Sequence, residues 1–456
     1  MRKSTSTSAS ILPGLFLTLL PLLLWMAAGN AQAALQIQNW TLDNGARVYF
    51  VEDHTIPVLD MSVEFDAGSR RDPEGKTGVS GLTNAMLARG LREARLDNGT
   101  TEPMLSEAQI SEAFADIAAQ RGGGGGSDRA GASLRTLSSR AERDAAVQML
   151  GRLLAQPSFP ADLLERDKAR VTASIRESLT KPQSIAQRAF SRATYGAHPY
   201  GREETVESIE AIARDDLVSF HAAHYVANRA VVAIMGDVSR ADADAIARQL
   251  TRRLPQGAAL PPLPPVPAAR AVEDWIAHPA SQSHVLVGAP ALQRGDPDFF
   301  ALTVGNYILG GGGFVSRLTH QVREKRGLAY SVYSYFSPLA QPGPFQIGLQ
   351  TQRAETANAL KVVRDTLADY LRTGPTEAEL KAAKDNLVGG FSLRIDSNRK
   401  ILDNLAVIGF YGLPLDYLDT WTANVERVTT ADIRAAFGRK LSTERLATIV
   451  VGAARP

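Results

Sequence analysis

The sequence contains no cysteine. That excludes disulfides, thiol nucleophiles and cysteine-ligated zinc. A chain of 456 residues can bury enough apolar surface to fold without crosslinks, and it is long enough for two or more domains. Net charge is also nearly absent. The formal value is +2, and Arg2 and Lys3 near the start account for all of it. With no basic block elsewhere, a nucleic-acid partner is not expected. Histidine is scarce, with seven in the chain. After the first 33 residues no apolar stretch approaches the ~18–20 residues of a membrane-spanning helix.

Those 33 residues read as a secretory signal. Arg2 and Lys3 form a basic start, residues 11–28 are mostly apolar, and Ala31-Gln32-Ala33 is a small-x-small cleavage site. The expectation is an exported chain, most simply periplasmic, that begins at Ala34 and keeps no membrane anchor after cleavage.

Beyond the leader the chain reads as two similar halves, residues 34–254 and 271–456. The connecting residues 255–270 form a linker, with six prolines between 255 and 269 that make it extended and semi-rigid. Trp40–Asp53 reads as a hairpin turning at Asn44-Gly45, and Val58–Phe65 as a strand. Helical patterns follow at Ser80–Arg89, Ser106–Gln120, Ala141–Ala155, Pro160–Leu179, Ser184–Tyr195 and Ala211–Tyr225, and Arg229–Gly236 is a buried-type strand. The second half repeats the plan. It ends DIRAAFGRKLSTERLATIVVG where the first ends DDLVSFHAAHYVANRAVVAIMG: helix, polar turn with Arg, apolar strand, Gly. The fold class expected is α+β, built from two homologous halves.

Several short motifs suggest chemistry and do not carry it. The glycines at 122–126 lack the helix start and the Lys or Ser that a phosphate cradle requires. His221 and His224 stand at i, i+3 on one helix, a legal ligand spacing, but two ligands do not make a zinc site. The expectation is that His224 packs at the helix end and His221 faces solvent. Ser178-Leu-Thr-Lys181 and Lys76-Thr77-Gly78 match S-x-x-K and K-T-G of penicillin-recognising enzymes. They come in the wrong order, lack S-D-N, and Pro182 interrupts the helix that would present the serine.

Two longer stretches are informative. Val58–Ser69, the turn RRDPEGKTG and the helix VSGLTNAMLARGL resemble the start of the pitrilysin/insulinase family of zinc peptidases. There the helix carries H-x-x-E-H, two zinc ligands and a general base. The equivalent positions are Gly81, Asn84 and Ala85, none of which can ligate zinc or take a proton from water. The family's third ligand falls on Ser174, with Glu177 nearby. The second stretch, ILGGGGFVSRLTHQVREKRGLAYSVYSY from Ile308 to Tyr335, resembles the family's second-half signature. There an Arg in the last helical turn and a Tyr on the next strand reach the zinc site, and they correspond to Arg323 and Tyr330. Gly310, Gly311, Gly312 and Gly313 open a helix in this reading, and resemble the substrate-handling glycine loop of non-catalytic family subunits.

The resemblance implies a clam-like pair of α/β-sandwich halves with a degenerate zinc site and no metal of its own. It further implies no peptidase activity alone, and a heterodimer with a homologous, zinc-bearing subunit that acts on unfolded peptide. The alternative is a peptide-binding or scaffold protein of the same fold with no peptidase role.

Overall fold

Ten of the eleven principal strands assemble into two sheets of matching topology, with one extra strand at the edge of the first. The computed structural model describes residues 35–95 and 99–455; the leader expected at residues 1–33 lies outside them. Residues 37–456 form one compact unit. Its first half contains β1 (Gln38–Thr41), β2 (Arg47–Glu52), β3 (Val58–Phe65), α1 (Val79–Met86), α2 (Glu107–Asp116), β4 (Gln120–Gly125), β5 (Ala130–Leu137), α3 (Arg140–Ala155), α4 (Ala161–Ser178), α5 (Pro182–Tyr195), α6 (Arg214–His224), β6 (Val231–Gly236) and α7 (Arg240–Thr251). The second contains β7 (Val272–Ala277), β8 (Gln282–Leu292), α8 (Phe299–Asn306), β9 (Ala329–Phe336), β10 (Gly343–Gln352), α9 (Thr356–Thr373), α10 (Glu377–Gly389), α11 (Asn398–Tyr411), α12 (Thr430–Lys440) and β11 (Ala447–Gly452). Short turns of helix and two-residue strands are left unlabelled.

The first sheet runs β1-β2-β6-β3-β5-β4 and the second β7-β11-β8-β10-β9. Without β1, the two orders are the same. In each, the outer strand (β2 or β7) pairs in parallel with the last strand of its half (β6 or β11), and the remaining pairs are antiparallel. The opposite edges, β4 and β9, are therefore equivalent.

Both faces of the central strands are covered, which is why they read as unbroken apolar runs. Val48, Phe50, Val232 and Ile234 face the core of the first half, where α3 packs on β5 and α7 on β2. The other face is covered by α11 of the second half. A Cβ added to Gly409 of α11 would lie 2.6 Å from Val231 and 2.7 Å from Tyr49, so only glycine lets this helix sit so close. The exchange is reciprocal. Helix α5 of the first half packs on β8 and β11, and its Ala186 and Phe190 share a core with Leu286, Ala447, Ile449 and Val451. Each half lends a helix to the other's sheet, so neither can close its core alone. Fully burying one side chain such as Phe190 is worth about 1.5–3 kcal/mol.

The proline-rich segment has no regular secondary structure and is strapped to both halves. Arg71 Nη1 donates to the Pro261 carbonyl at 2.8 Å, His198 Nε2 to that of Pro264 at 3.0 Å, and the Val266 amide to Gln341 Oε1 at 3.0 Å.

The glycine run at 122–126 is largely a strand, β4, held by its register with β5 although glycine disfavours strands. Two expectations need correction. His221 does not face solvent. Its Nε2 is 2.8 Å from the Leu154 carbonyl, and its ring stacks on Tyr225 with centroids 4.9 Å apart. The glycines at 310–313 close one helix rather than open the next. Tyr307–Gly311 is a wide π-turn continuing α8, and Gly313–Val315 a tight 3-10 turn.

Candidate functional site

Helix α1 begins where Gly78 takes φ +110° and the Asp72 carboxylate accepts the amide protons of Gly78 and Ser80 at 2.7 and 2.8 Å. This satisfies part of the unpaired first turn. Burial holds the Asp72 carboxyl above its usual range, against the pull of those hydrogen bonds. On this helix Gly81 and Ala85 share an exposed face. Asn84 is half-buried and structural: its Nδ2 donates to the Gly131 carbonyl at 3.0 Å and to the Tyr225 hydroxyl at 3.1 Å. Those bonds tie α1 to β5 and to the end of α6. Ser174 lies exposed on α4, and Glu177 nearby is engaged by Lys181 at 2.6 Å.

These residues do not fit zinc. Gly81 and Ala85 have no side-chain donor, the Asn84 amide nitrogen is spent on hydrogen bonds, and a metal of this kind requires roughly three or four protein ligands. No group of three His, Asp or Glu residues suited to a metal occurs among the described residues. His221 and His224 do not converge either, since His224 Nδ1 lies 2.8 Å from the Asp66 carbonyl while His221 points to Leu154. The two penicillin-enzyme motifs are also structural. Ser178 Oγ donates to the Ile175 carbonyl at 2.8 Å, and Lys76 pairs with Asp216 at 2.6 Å.

The carboxylate nearest the Gly81 position is one that sequence reasoning missed. Glu204 Oε1 lies 3.6 Å from where a side chain on Gly81 would begin. Burial first, then Asp72 and Glu203, raise its pKa above the ordinary carboxylate range. No local pattern announces a contact made across so much intervening chain.

Beside α1 runs β4, all six of its residues exposed. It is bonded to β5 on one side and forms the edge of the sheet.

The equivalent edge in the second half carries the other candidate residues. Register slips between Ala329 and Val332. The bulge turns both Tyr330 and Ser331 outward. Tyr330 is 81% exposed. Arg323 lies in a π-turn, Thr319–Glu324, that ends at Gly327 with φ +61°. Its guanidinium sits 4.9 Å from the Tyr330 ring centroid and 4.8 Å from that of Phe314, which is 68% exposed. It has no hydrogen-bonding partner among the described residues. The structure thus joins Arg323 and Tyr330 into one stack. It shows no hydrogen bond or ring contact between that stack and Gly81, Asn84 or Ala85. Phe314 was missed, although it adjoins the glycine run in the sequence. Farther along β9, Tyr333 and Tyr335 stack with centroids 6.0 Å apart.

The glycine run owes much to packing. A Cβ at Gly310 would fall 2.6 Å from the Ser334 amide, one at Gly311 2.6 Å from Asn306 Nδ2, and one at Gly312 2.7 Å from the Tyr307 carbonyl. Gly313 alone opens on empty space, at φ +60°.

Residues 211–387 match the family described as "Peptidase M16 inactive domain". The chain is 30% identical to an uncharacterized zinc protease of Mycobacterium tuberculosis strain H37Rv, over 67% of this chain and 71% of that one. It is 27% identical to a protein of Helicobacter pylori named "Non-peptidase homolog YmxG", over 85% and 87%. An uncharacterized zinc protease of Streptomyces coelicolor is 28% identical over 64% of this chain, and the match spans 65% of that relative's length. Among solved structures, the peptidase M16 inactive domain from Pseudomonas fluorescens superposes with a TM-score of 0.86 and 37% identity, covering 92% of this chain and 99% of that one. The chain belongs to the M16, or pitrilysin/insulinase, family of peptidases, as a member whose own zinc positions hold no ligands.

Proposed function

We propose that the protein is an exported, zinc-free subunit that pairs with a zinc-bearing homologue and contributes peptide-binding and oxyanion-stabilising groups to it. The observation that carries this reading is the contrast between two equivalent sheet edges. Beside β4, α1 has no metal-ligating side chains at Gly81 and Ala85, and its Asn84 serves the fold. Beside β9, exposed Tyr330 and half-buried Arg323 stand stacked, and among the described residues no hydrogen bond or ion pair holds the guanidinium.

A guanidinium and a phenol can hydrogen-bond a peptide carbonyl and steady the oxyanion that forms when it is attacked. The exposed edge of β4 suits an extended peptide, which gains main-chain hydrogen bonds by adding a strand. The relative named a non-peptidase homologue agrees with a chain that does not cleave by itself. Zinc and its general base would belong to the partner, and none is expected on this chain. No helix among the described residues is long and apolar enough to cross a membrane.

The test is reconstitution. Leaderless protein is purified, assayed alone for peptide cleavage and metal, then mixed with a homologous M16 subunit carrying intact H-x-x-E-H. Expected are no cleavage alone, a stable complex on gel filtration, and cleavage that requires both chains. A partner equally active without this chain would sink the proposal.

A further inference from the structure

The region between the two sheets contains a second feature that the peptidase reading does not use. A cavity of about 500 Å³ opens where both halves meet. Four of its lining residues are arginines, Arg47, Arg70, Arg229 and Arg294, and its lone carboxylate is Asp66. That carboxylate is already occupied. Arg70 Nη2 reaches Asp66 Oδ1 at 3.0 Å, and Arg71 donates to both of its oxygens at 3.0 and 2.7 Å. Arg70 is 7% exposed and also pairs with Asp128 at 2.6 Å. Asp66 and Asp128 therefore neutralise Arg70 and Arg71, and among the described residues no ion pair is made by the other three.

Each of those three is short of acceptors. Arg47, at the start of β2, has no side-chain hydrogen bond or ion pair among the described residues. Arg294 has none either; it lies 5.3 Å from the Tyr411 ring centroid, and its Nε is buried without an acceptor. Arg229 gives its terminal nitrogens to the Ala258 and Ala223 carbonyls, and its Nε too is buried and unmatched. A buried donor left unpaired is costly and calls for a ligand or ion to satisfy it. The C-terminal end of α11 at Tyr411 opposes an anion with only about half a charge, too little to offset three guanidinium groups.

We infer that this cavity binds a compact multivalent oxyanion, of phosphate or carboxylate type, bridging Arg47 and Arg229 of the first half to Arg294 of the second. Planar guanidinium forks match the oxygen edges of both classes. The volume falls within the range of small-molecule sites, too small for a folded macromolecule. Because its ligands come from both halves, a bound anion would hold the halves together. It would stabilise the folded chain in proportion to its occupancy.

The experiment uses the full chain without its leader. Binding of pyrophosphate and of citrate is measured by calorimetry, and thermal midpoints are recorded at ionic strength held constant with sodium chloride. Saturable binding and a saturable rise in midpoint are expected with at least one of the two anions. Pyrophosphate alone would assign the phosphate class, citrate alone the carboxylate class, and both the shared oxyanion chemistry. Arg47→Gln and Arg294→Gln, one from each half, should each weaken binding at least about tenfold, as expected for a lost hydrogen bond to a charged group. Neither arginine holds an ion pair here, so neither change removes one, and circular dichroism verifies each fold. Arg140→Gln, on an exposed helix start, should change nothing. If neither anion shows saturable binding beyond chloride, or if both variants bind as tightly as the parent, the site does not exist.

Discussion

The hydroxyl of Tyr411 donates to Oδ2 of Asp128 at 2.8 Å, joining residues 283 positions apart. The same buried carboxylate accepts from Arg70 Nη1 at 2.6 Å, Tyr200 at 2.5 Å and the Ala340 amide at 2.8 Å. Four donors from four segments of chain converge on one aspartate, which makes it the principal polar pin between the halves. Asp128→Ala leaves Arg70 short of a partner and three other donors unmatched. Removing one member of a buried charge pair costs about 3–5 kcal/mol. The expected outcome in urea unfolding is a loss of that order. A loss below about 1 kcal/mol, the worth of an ordinary exposed pair, would show that the halves are held chiefly by the exchanged helices.

The pH dependence should come in two windows. Burial lowers the pKa of His221 to about 4 from 6.5, with Arg92 acting the same way and the Leu154 carbonyl opposing. A histidine kept neutral in the fold supports it above pH 6.5, and that support is lost between 6.5 and 4 as the unfolded chain takes up the proton. Burial alone would raise the Glu102 carboxyl, but hydrogen bonds from Arg253 and Gln148 and the charge of Arg152 outweigh it and bring it down to about 2 from 4.5. Its contribution is present above pH 4.5 and lost between 4.5 and 2. Each is worth roughly 3 kcal/mol. Thermal midpoints should therefore fall in both windows. His221→Gln should shrink the upper one, the rest of which comes from His198, His224 and His284, also lowered by burial, and leave the lower one intact; a parent-like profile in that variant would refute the assignment.

Two neighbouring glycines on β4 should respond oppositely to alanine. At Gly123, with φ +130°, a Cβ would lie 2.5 Å from the Gly131 carbonyl oxygen, whereas nothing lies within 4 Å of one at Gly124. Gly124→Ala should be neutral or stabilise by about 0.4–1 kcal/mol through the unfolded chain's entropy, and Gly123→Ala should destabilise by more than that. Equal effects in chemical denaturation would mean that β4 is not held in the register described.

The metal helix should not be repaired by its motif alone. Gly81→His, Asn84→Glu and Ala85→His together restore H-x-x-E-H but remove the bonds from Asn84 to Gly131 and Tyr225. They also bring the new imidazole at position 81 close to Glu204. With Ser174 unchanged, the site has two imidazoles and lacks a third protein ligand. Elemental analysis after dialysis should find well under one zinc per triple variant, and more when Ser174→Glu is added. Stoichiometric zinc in the triple variant would mean that Glu204 or Glu177 supplies the missing ligand.

Much of this was legible in the sequence, for identifiable reasons. A turn dipeptide marked β2, alternation marked β3, and an unbroken apolar run marked β6. The matching ends of the two halves announced the repeat, and the absence of H-x-x-E-H could be read off the chain directly. What escaped depended on contacts over distance. An amphipathic pattern says that α5 and α11 bury a face, not that each buries it against the other half's sheet. Strand β4 has almost no strand-forming residues and owes its form to β5. The π-turns at 307–311 and 319–324 keep a helical pattern, so nothing local separates them from ordinary helix. The arginine cavity draws on residues from Arg47 to Arg294, each unremarkable where it stands in the chain.

The last prediction tests the proposed division of labour. In a pair with a zinc-bearing homologue, the partner's metal and glutamate would generate the attacking water. Donors for the oxyanion would come from Arg323 and Tyr330. Tyr330→Phe is the cleaner substitution, because it removes the hydroxyl and keeps the ring on which Arg323 rests at 4.9 Å. Tyr330 is 81% exposed, so loss of the hydroxyl should not affect folding. Arg323→Ala also empties the space between Phe314 and Tyr330 and loosens both rings. Removing one oxyanion donor typically costs ~10²–10³ in kcat. Tyr330→Phe should therefore leave assembly unchanged on gel filtration and KM within about twofold, while kcat falls at least about tenfold. Arg323→Ala should lower kcat and raise KM together, since it removes a charge and disorders the surface that receives peptide. If both variants turn over peptide at the parental rate, the Arg323–Tyr330 stack belongs to the fold, and the subunit acts as a scaffold.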